Sequence, residues 1–337
     1  SANRGQFTKM DDRHVLEFLQ LNLEDVNSAL TAVVEGDTPT QLYEPARYIL
    51  ASSGKRFRAQ LVLAASSTFD GSREVALRAA VAVEVFHLFT LVHDDIMDRS
   101  DSRRGITTIH VRWDEPTAIL TGDFLLGRAS EILLAYPDDR LRSVLGRFSS
   151  TVRILCEGQI RDMSFERRDD VSLGEYLQMI DQKTSALLQT ALVLGAMTGS
   201  ANTSDFTQLD RIGHHLGRAF QIQDDLLDLV ADSSEWGKPI GGDLTSGKRS
   251  FLLLKALELE RISGDRYFHE VQKSGGLASS HLKEARLKMD DLGVTESARS
   301  SVILHSEAAL GGINNLPSGT GKDALIALAE KMQRRLY

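Results

Sequence analysis

Residues 79–98 read AAVAVEVFHLFTLVHDDIMD, an almost wholly apolar run that ends in three aspartates. A helix with so little polar surface packs inside a bundle of other helices. The six prolines leave residues 46–115 and 138–238 without a helix-breaking position. Because these long spans also lack the alternation of half-buried strands, the sequence predicts an all-α protein with about ten or more helices and no sheet.

Composition places the chain among globular proteins. It has 337 residues, and its 42% hydrophobic content is enough for a sizeable core. We expect residues 1–10 to be a disordered lead-in and residues 11–337 to form a single domain. The net charge of −8 argues against a general nucleic-acid binder. No uninterrupted apolar run reaches about 18 residues, so we expect no transmembrane helix.

One cysteine, Cys156, is present, so no internal disulfide can form. This fits a protein of the reducing cytoplasm. We expect the Cys156 side chain to be a small buried apolar group.

Two matching acidic motifs are the strongest chemical signal. They are Asp94-Asp95-Ile96-Met97-Asp98 and Asp224-Asp225-Leu226-Leu227-Asp228, and each follows an apolar stretch. The first and last aspartates of a motif share one helix face, where two bare carboxylates repel by roughly a few tenths of a kcal/mol. A bound divalent cation relieves this repulsion, and oxygen ligands at this spacing suit Mg²⁺. We expect the two clusters to face each other across a dry hollow and to share metal ions.

Basic residues accompany both motifs. Arginine forks bind phosphate bidentately, whereas lysine acts as a point charge. Each residue alone is typical of a solvated surface, but Lys183 lies in an otherwise largely apolar segment. The candidates are Lys55 and Arg58 of GKRFR (54–58), Arg103 and Arg104 of RRG (103–105), Lys183 of QKT (182–184), Lys238 and Lys248.

These motifs occur in a characteristic order. GKRFR, HDDIMD, RRG, QKT, FQIQDDLLD, GKP and GGDLTSGK follow one another between about residues 40 and 260. In this respect the chain resembles the trans-isoprenyl diphosphate synthases, the polyprenyl synthetase family. The resemblance implies a bundle of antiparallel helices around a deep central cavity, the isoprenoid synthase fold. It also implies a homodimer that uses three Mg²⁺ ions.

The resemblance implies a role for each matching residue. Asp94 and Asp98 would bind Mg²⁺ with support from Asp95, and Asp224 would bind a third ion with support from Asp225 and Asp228. Arg103, Lys183, Lys238 and Lys248 would hold the allylic diphosphate. Lys55, Arg58, His87 and Arg104 would hold isopentenyl diphosphate, while Thr184 and Gln221 would face the developing carbocation. Arg334 and Arg335 are weaker candidates near the second substrate.

Histidines need separate weighing, because a histidine on an apolar helix is usually a satisfied core residue. His87 lies seven residues before Asp94, two helical turns away on nearly the same face. It also matches a phosphate-binding position of the family. We therefore expect His87 to be functional, and we expect only structural roles for His93, His110, His214 and His215.

Product length should depend on the side chains that close the cavity floor. Phe89 lies five residues before Asp94, Phe86 lies three residues further back, and Thr90 is small. With a single phenylalanine at position 89 and no insertion in the first motif, the chain resembles the family members that make geranylgeranyl diphosphate (C20). Both phenylalanines could also be ordinary core packing.

The predicted activity is a prenyltransferase that condenses isopentenyl diphosphate with an allylic diphosphate and releases pyrophosphate. The alternatives are a synthase of farnesyl (C15) or longer products, a class I terpene cyclase, and a catalytically silent partner subunit. A cyclase would not need the GKRFR and RRG motifs. A silent subunit would be expected to lose an aspartate or a lysine, and a purely structural bundle would not place six aspartates at two apolar helix ends.

Overall fold

A computed structural model describes residues 9–34, 36–230 and 241–333. Lys238, Arg334 and Arg335 lie outside the described residues. The chain divides into two compact units, each assembled from three separate segments. Unit 1 comprises Ser1–Ser149, Thr190–Leu209 and Ile313–Leu328; unit 2 comprises Ser150–Gln189, Asp210–Gly312 and Ala329–Tyr337. The single-domain boundary at residues 11–337 stays a prediction.

The prediction of an all-α protein is confirmed. The α-helices are α1 (Lys9–Thr31), α2 (Thr40–Leu50), α3 (Phe57–Thr68), α4 (Arg73–Met97), α5 (Ile109–Arg112), α6 (Glu115–Ile132), α7 (Asp138–Phe165), α8 (Leu173–Ile180), α9 (Ala186–Ala196), α10 (Thr203–Val230), α11 (Gly242–Thr245), α12 (Phe251–Ser263), α13 (Tyr267–Lys273), α14 (Leu282–Asp291), α15 (Val294–Asn314) and α16 (Thr320–Gln333). Two 3₁₀ turns, Leu133–Ala135 and Ser279–His281, and a π-helical turn, Asp181–Ser185, complete the helical structure described.

The expectation of no sheet is wrong in one place. Strands β1 (Ser102–Arg103) and β2 (Ile106–Thr107) pair antiparallel as a small hairpin. Its two loop residues, Arg104 and Gly105, both have positive φ, at 52° and 79°. A two-residue loop with positive φ at both positions is the favoured hairpin turn, and glycine reaches this conformation without steric cost.

Helix α4 forms the centre of unit 1, as its apolar sequence predicts. Ser72 caps its first turn by accepting a hydrogen bond from the Val75 amide. By length and composition α4 could cross a membrane, but 83% of its most apolar window is buried inside the structure. Burial of this extent is what a core helix shows, so the apolar character of α4 is accounted for by packing against α3 and α6.

Unit 2 has its own buried core, which includes Ile180, Leu226, Phe251 and Phe268. Ser172 and Glu175 form the predicted capping box that starts α8. Cys156, in contrast, is exposed, so the expectation of a buried thiol is wrong. It lies on the long helix α7, where a position can face solvent although its neighbours are apolar.

Candidate active site

The first acidic motif ends α4. Asp94 is half-buried, Asp95 is buried, and Asp98 is the exposed residue that caps the helix C-terminus. The C-terminal end of a helix carries a partial negative charge, which adds to that of the carboxylates. This end of α4 therefore favours a cation electrostatically, and the use of Asp94 and Asp98 as metal ligands stays a prediction.

Arg103 contacts this motif directly. Its Nε atom donates a hydrogen bond to Asp95 Oδ1 at 2.7 Å, and the Asp95 side chain is only 5% exposed. Burial raises the pKa of Asp95, although the positive charge of Arg103 opposes this effect. Arg103 thus compensates the charge of the buried Asp95 carboxylate, and the β1–β2 hairpin positions Arg103 for this contact.

A second group of cations surrounds His87. Arg58 Nη1 lies 3.1 Å from His87 Nε2, and His87 is buried. Burial, followed by the charges of Arg58 and Arg104, lowers the pKa of His87 well below its usual value. His87 is therefore neutral at pH 7. Because Arg58 can only donate, Nε2 of His87 accepts, and the ring proton lies on Nδ1.

The GKRFR segment and the RRG hairpin meet in unit 1. Arg104 Nη1 donates to the Ser53 carbonyl at 3.2 Å. Gly54 permits this approach, since a Cβ atom there would lie 2.7 Å from Arg104 Nη1. Arg104 and Lys55 are both exposed at this place. Arg58 and His87, two of the four residues predicted for isopentenyl diphosphate, are thus in direct contact, and the charge of Arg104 also acts on His87.

Sequence reasoning missed two buried residues beneath this group. Arg56 and Glu84 are 5% and 3% exposed and form an ion pair at 3.8 Å. The Glu84 carboxylate also accepts a hydrogen bond from the Ala59 amide at 3.2 Å, in the first turn of α3. The sequence carried a signal for this pair: Glu84 is an acidic residue within the apolar run of α4, and a buried carboxylate requires a cationic or hydrogen-bonding partner.

The second acidic motif ends α10 in unit 2. Asp225 is buried and accepts hydrogen bonds from the Tyr176 hydroxyl, the Phe251 amide at 2.8 Å and Gln221 Nε2 at 3.2 Å. Burial, with a contribution from the charge of Asp243, raises its pKa to about 7. Thr184 donates to Gln221 Oε1 at 3.1 Å, so a continuous hydrogen-bond chain joins Thr184 to Asp225. These contacts hold the Asp225 carboxylate in place, while its supporting role in the motif stays a prediction.

Asp228 contacts the segment that follows the motif. Its carboxylate accepts a hydrogen bond from the Asp243 amide at 3.0 Å, and its backbone carbonyl accepts one from Gly241 at 2.7 Å. Burial, followed by the charge of Asp243, raises the pKa of Asp228 to about 6. Lys248 lies 3.8 Å from Asp243. Asp243 therefore links Asp228 and Lys248, a role that its place within GGDLTSGK could have suggested.

Lys183 lies in the π-helical turn between α8 and α9. Its Nζ atom makes a 2.6 Å ion pair with Asp162 of α7, and its side chain is 23% exposed. π-Helical turns are rare and occur frequently at functional sites. The position of Lys183 is thus set by a local distortion and by Asp162, neither of which was predicted from the sequence.

The two phenylalanines predicted to set product length belong to one aromatic cluster. The ring of Phe86 lies 5.5 Å from that of Phe89 and 5.1 Å from that of Phe148, between centroids. Phe86 is fully buried, and Phe89 is 8% exposed. His93 packs edge-on against Phe89 at 4.8 Å, as a structural histidine does. The cluster is compatible both with a cavity floor and with core packing.

The carboxylates suit a divalent cation that is shared with substrate. Within residues 9–34, 36–230 and 241–333, no three His, Cys, Asp or Glu side chains form a ready-made metal site. Mg²⁺, however, keeps several waters and typically takes one or two carboxylates together with substrate phosphates. The half-buried Asp94 and Asp224 and the exposed Asp98 provide oxygen donors of this kind at the ends of two helices.

Comparison with known proteins identifies the family. The polyprenyl synthetase family profile matches residues 39–286. The chain belongs to the polyprenyl synthetase family. It is 42% identical to the geranylgeranyl diphosphate synthase of Sulfolobus acidocaldarius over 241 residues, which cover 70% of this chain and 73% of that protein. The family uses a divalent metal to ionise diphosphates, and this member is accordingly a trans-prenyltransferase.

Two further similarities extend over nearly the whole chain. The geranylfarnesyl diphosphate synthase of Natronomonas pharaonis is 34% identical over an alignment of 346 positions, which covers 96% of this chain and 98% of that protein. A crystal structure of geranylgeranyl pyrophosphate synthetase from Pyrococcus horikoshii superposes with a TM-score of 0.89 and 31% identity, covering 96% of this chain and 99% of that one. Both support the isoprenoid synthase fold predicted from the motifs.

Proposed function

We propose that this polyprenyl synthetase condenses isopentenyl diphosphate with an allylic diphosphate and releases the all-trans C20 product, geranylgeranyl diphosphate. The observation that carries the proposal is the pairing of each acidic helix end with cationic side chains. Arg103 contacts the first motif, and Lys248 is linked to the second through Asp243. Similarity to geranylgeranyl diphosphate synthases supports the chain length.

Ionisation of the allylic substrate requires neutralisation of its diphosphate. Three Mg²⁺ ions are expected: Asp94 and Asp98 would hold Mg²⁺ at the first motif, and Asp224 would hold the third ion. When bound, these ions would supply most of the neutralising charge. Arg103, Lys183, Lys238 and Lys248 would add positive charge and hydrogen-bond donors for the departing diphosphate. Stabilisation of charge that develops in the transition state is usually the largest catalytic contribution.

The second substrate must already be in place when the allylic cation forms, since that cation is short-lived. We assign this task to Lys55, Arg58, His87 and Arg104. A neutral His87 can donate from Nδ1 while Arg58 occupies Nε2, so the pair offers a diphosphate both hydrogen bonds and charge. Thr184 and Gln221 would face the developing carbocation, where their oxygen dipoles are favourable. Pyrophosphate is the expected base for the final deprotonation.

The decisive experiment incubates the purified protein with Mg²⁺, isopentenyl diphosphate and one allylic primer of C5, C10 or C15 at a time. We expect C20 as the main product from every primer that is accepted. C15 or C25 as the main product would overturn the chain length while leaving the reaction class intact. Product formed without isopentenyl diphosphate would indicate a cyclase, and no product from any primer would indicate a silent subunit.

Shortening Phe89 should lengthen the product. In Phe89→Ala the ring next to Phe86 is removed, and the space it leaves can admit further isoprene units. We expect C25 and longer products to replace a substantial share of C20, as measured by chromatography of the dephosphorylated alcohols. Phe124→Ala, on α6 and outside this cluster, is the matched control. An unchanged product distribution in Phe89→Ala would assign Phe89 to core packing alone.

We also infer a cytoplasmic homodimer that binds no nucleic acid. Family resemblance supports the dimer. The net charge of −8 argues against nucleic-acid binding, and the single cysteine fits the reducing cytoplasm. Light scattering after size-exclusion chromatography should give twice the 37.2 kDa chain mass.

A further inference from the structure

The π-helical turn Asp181–Ser185 carries two residues assigned to the allylic substrate, Lys183 to its diphosphate and Thr184 to the developing carbocation. One additional residue in a helical turn rotates every side chain that follows it, so the direction of these two depends on how the turn is held. Two neighbouring helices press on its backbone. A Cβ atom at Gly158 of α7 would lie 2.6 Å from the Lys183 amide nitrogen, and one at Gly217 of α10 would lie 2.5 Å from Ser185 Cα.

Glycine contacts of this kind set how closely helices approach, but they do not fix rotation about the helix axis. That rotation is constrained by Asp181, the first residue of the turn. The guanidinium of Arg218, on α10, donates two hydrogen bonds to the Asp181 carboxylate: Nε to Oδ1 at 2.8 Å and Nη2 to Oδ2 at 2.8 Å. His214 Nδ1 lies 3.2 Å from Oδ1. A bidentate pair provides geometric specificity as well as energy.

Burial alone would raise the pKa of Asp181, yet hydrogen bonds from His214 and Arg218 hold that pKa below its ordinary value. The carboxylate is therefore charged at neutral pH, and its side chain is only 27% exposed. An ion pair that is partly buried and bidentate is screened less than the exposed pairs of a helix surface.

A second residue of α10, Gln221, also forms a hydrogen bond with the π-helical turn. Gln221, three residues after Arg218, accepts the hydrogen bond of Thr184 at 3.1 Å and donates to Asp225 at 3.2 Å. Asp181 and Thr184 are thus both attached to α10, and Lys183 lies between them. Because Asp181 and Thr184 point toward α10, the Lys183 side chain points the other way, toward Asp162 of α7.

We propose that Asp181 and Arg218, assisted by His214, are positioning residues that orient the π-helical turn and so direct Lys183 at the allylic diphosphate and Thr184 at the developing carbocation. The proposal rests on the proposed function for the substrate, but the geometry of the turn can be tested without it. His214, expected from the sequence to be a structural histidine only, contributes here to positioning.

Kinetics provide the first test. Arg218→Lys keeps the positive charge but loses the bidentate geometry of the guanidinium. Asp181→Asn keeps the shape of the side chain but loses its negative charge. Because a displacement of about 1 Å can cost up to about a hundredfold in rate, we expect kcat to fall about tenfold or more. We expect KM for the allylic primer to rise about fivefold and KM for isopentenyl diphosphate to change less than about twofold. Arg168→Lys removes a comparable contact to Glu175 at the start of α8 and is the matched control.

Hydrogen exchange provides the second test and requires no substrate. Exchange of the amides of residues 181–189 should accelerate in Arg218→Lys and in Asp181→Asn, while exchange of residues 173–180 should not change. If exchange is unaltered in both variants, the proposal is overturned whatever the activity. It is also overturned if the variants only lose stability, with kcat reduced and both KM values unchanged. An inactive wild-type protein whose turn loosens as expected would refute the proposed function but not the positioning role.

Discussion

Replacing Asp94 with asparagine should lower kcat by about three orders of magnitude, equivalent to about 4 kcal/mol of transition-state stabilisation. Asparagine retains the shape of the side chain and removes its charge, so the fold should be preserved while the hold on a divalent cation is lost. Asp94 is half-buried at the C-terminal end of α4, where the helix itself favours a cation. The measurement is steady-state prenyl transfer with both substrates saturating.

Asp224→Asn should have a comparable effect, and the double variant tests whether the two motifs serve one step. Residues that act as a unit show strongly non-additive losses. We therefore expect the double variant to be little worse than either single variant. Asp101→Asn, an exposed aspartate shortly after the first motif, should retain wild-type activity. Full activity of Asp94→Asn, or additive losses in the double variant, would contradict a shared catalytic role.

The parts of the fold that could be predicted are those decided by local pattern. The apolar run of residues 79–93 required a buried helix, and α4 is that helix. The Ser172–Glu175 capping box required a helix start, because it satisfies two otherwise unpaired amides, and α8 starts there. Both acidic motifs were expected after apolar stretches, and both end long helices.

The parts that could not be predicted depend on one or two residues or on tertiary contacts. Strands of two residues are too short to show an alternating pattern, so the β1–β2 hairpin around Arg104 was missed. The π-helical turn has no periodicity signal of its own, because α9, which follows it, is apolar nearly all round and therefore shows no rotation of an apolar face. The exposure of Cys156 depends on which side of α7 is covered by other elements.

The candidate site shows the same division. Residue types that bind phosphate and metal could be selected from motifs, whereas the partners that orient them could not. Asp162, Tyr176 and Asp243 lie far along the chain from the residues they contact. Such contacts follow from helix packing. The assigned roles of the aspartates and basic residues remain predictions, which the variants described here are designed to test.

Replacing Lys183 with methionine should have the largest effect after the aspartate substitutions in the two motifs. The substitution keeps an unbranched side chain of similar length and removes the positive charge. Lys183 makes a 2.6 Å ion pair with Asp162, and a diphosphate with more negative charge can displace that carboxylate or share the ammonium with it. We expect kcat to fall about a hundredfold and KM for the allylic primer to rise about tenfold, with KM for isopentenyl diphosphate unchanged.

Lys255→Met provides the matched control in the same unit. Lys255 is 19% exposed and forms a 3.1 Å ion pair with Glu258, so it resembles Lys183 in burial and partner but not in assigned function. Stability should respond similarly in both variants, because each leaves a carboxylate without its cation. Activity should separate them, since Lys183 alone is assigned to the leaving group. Equal losses of activity in the two variants would show that Lys183 contributes through the fold, and the allylic diphosphate would then have to be held by the other cations.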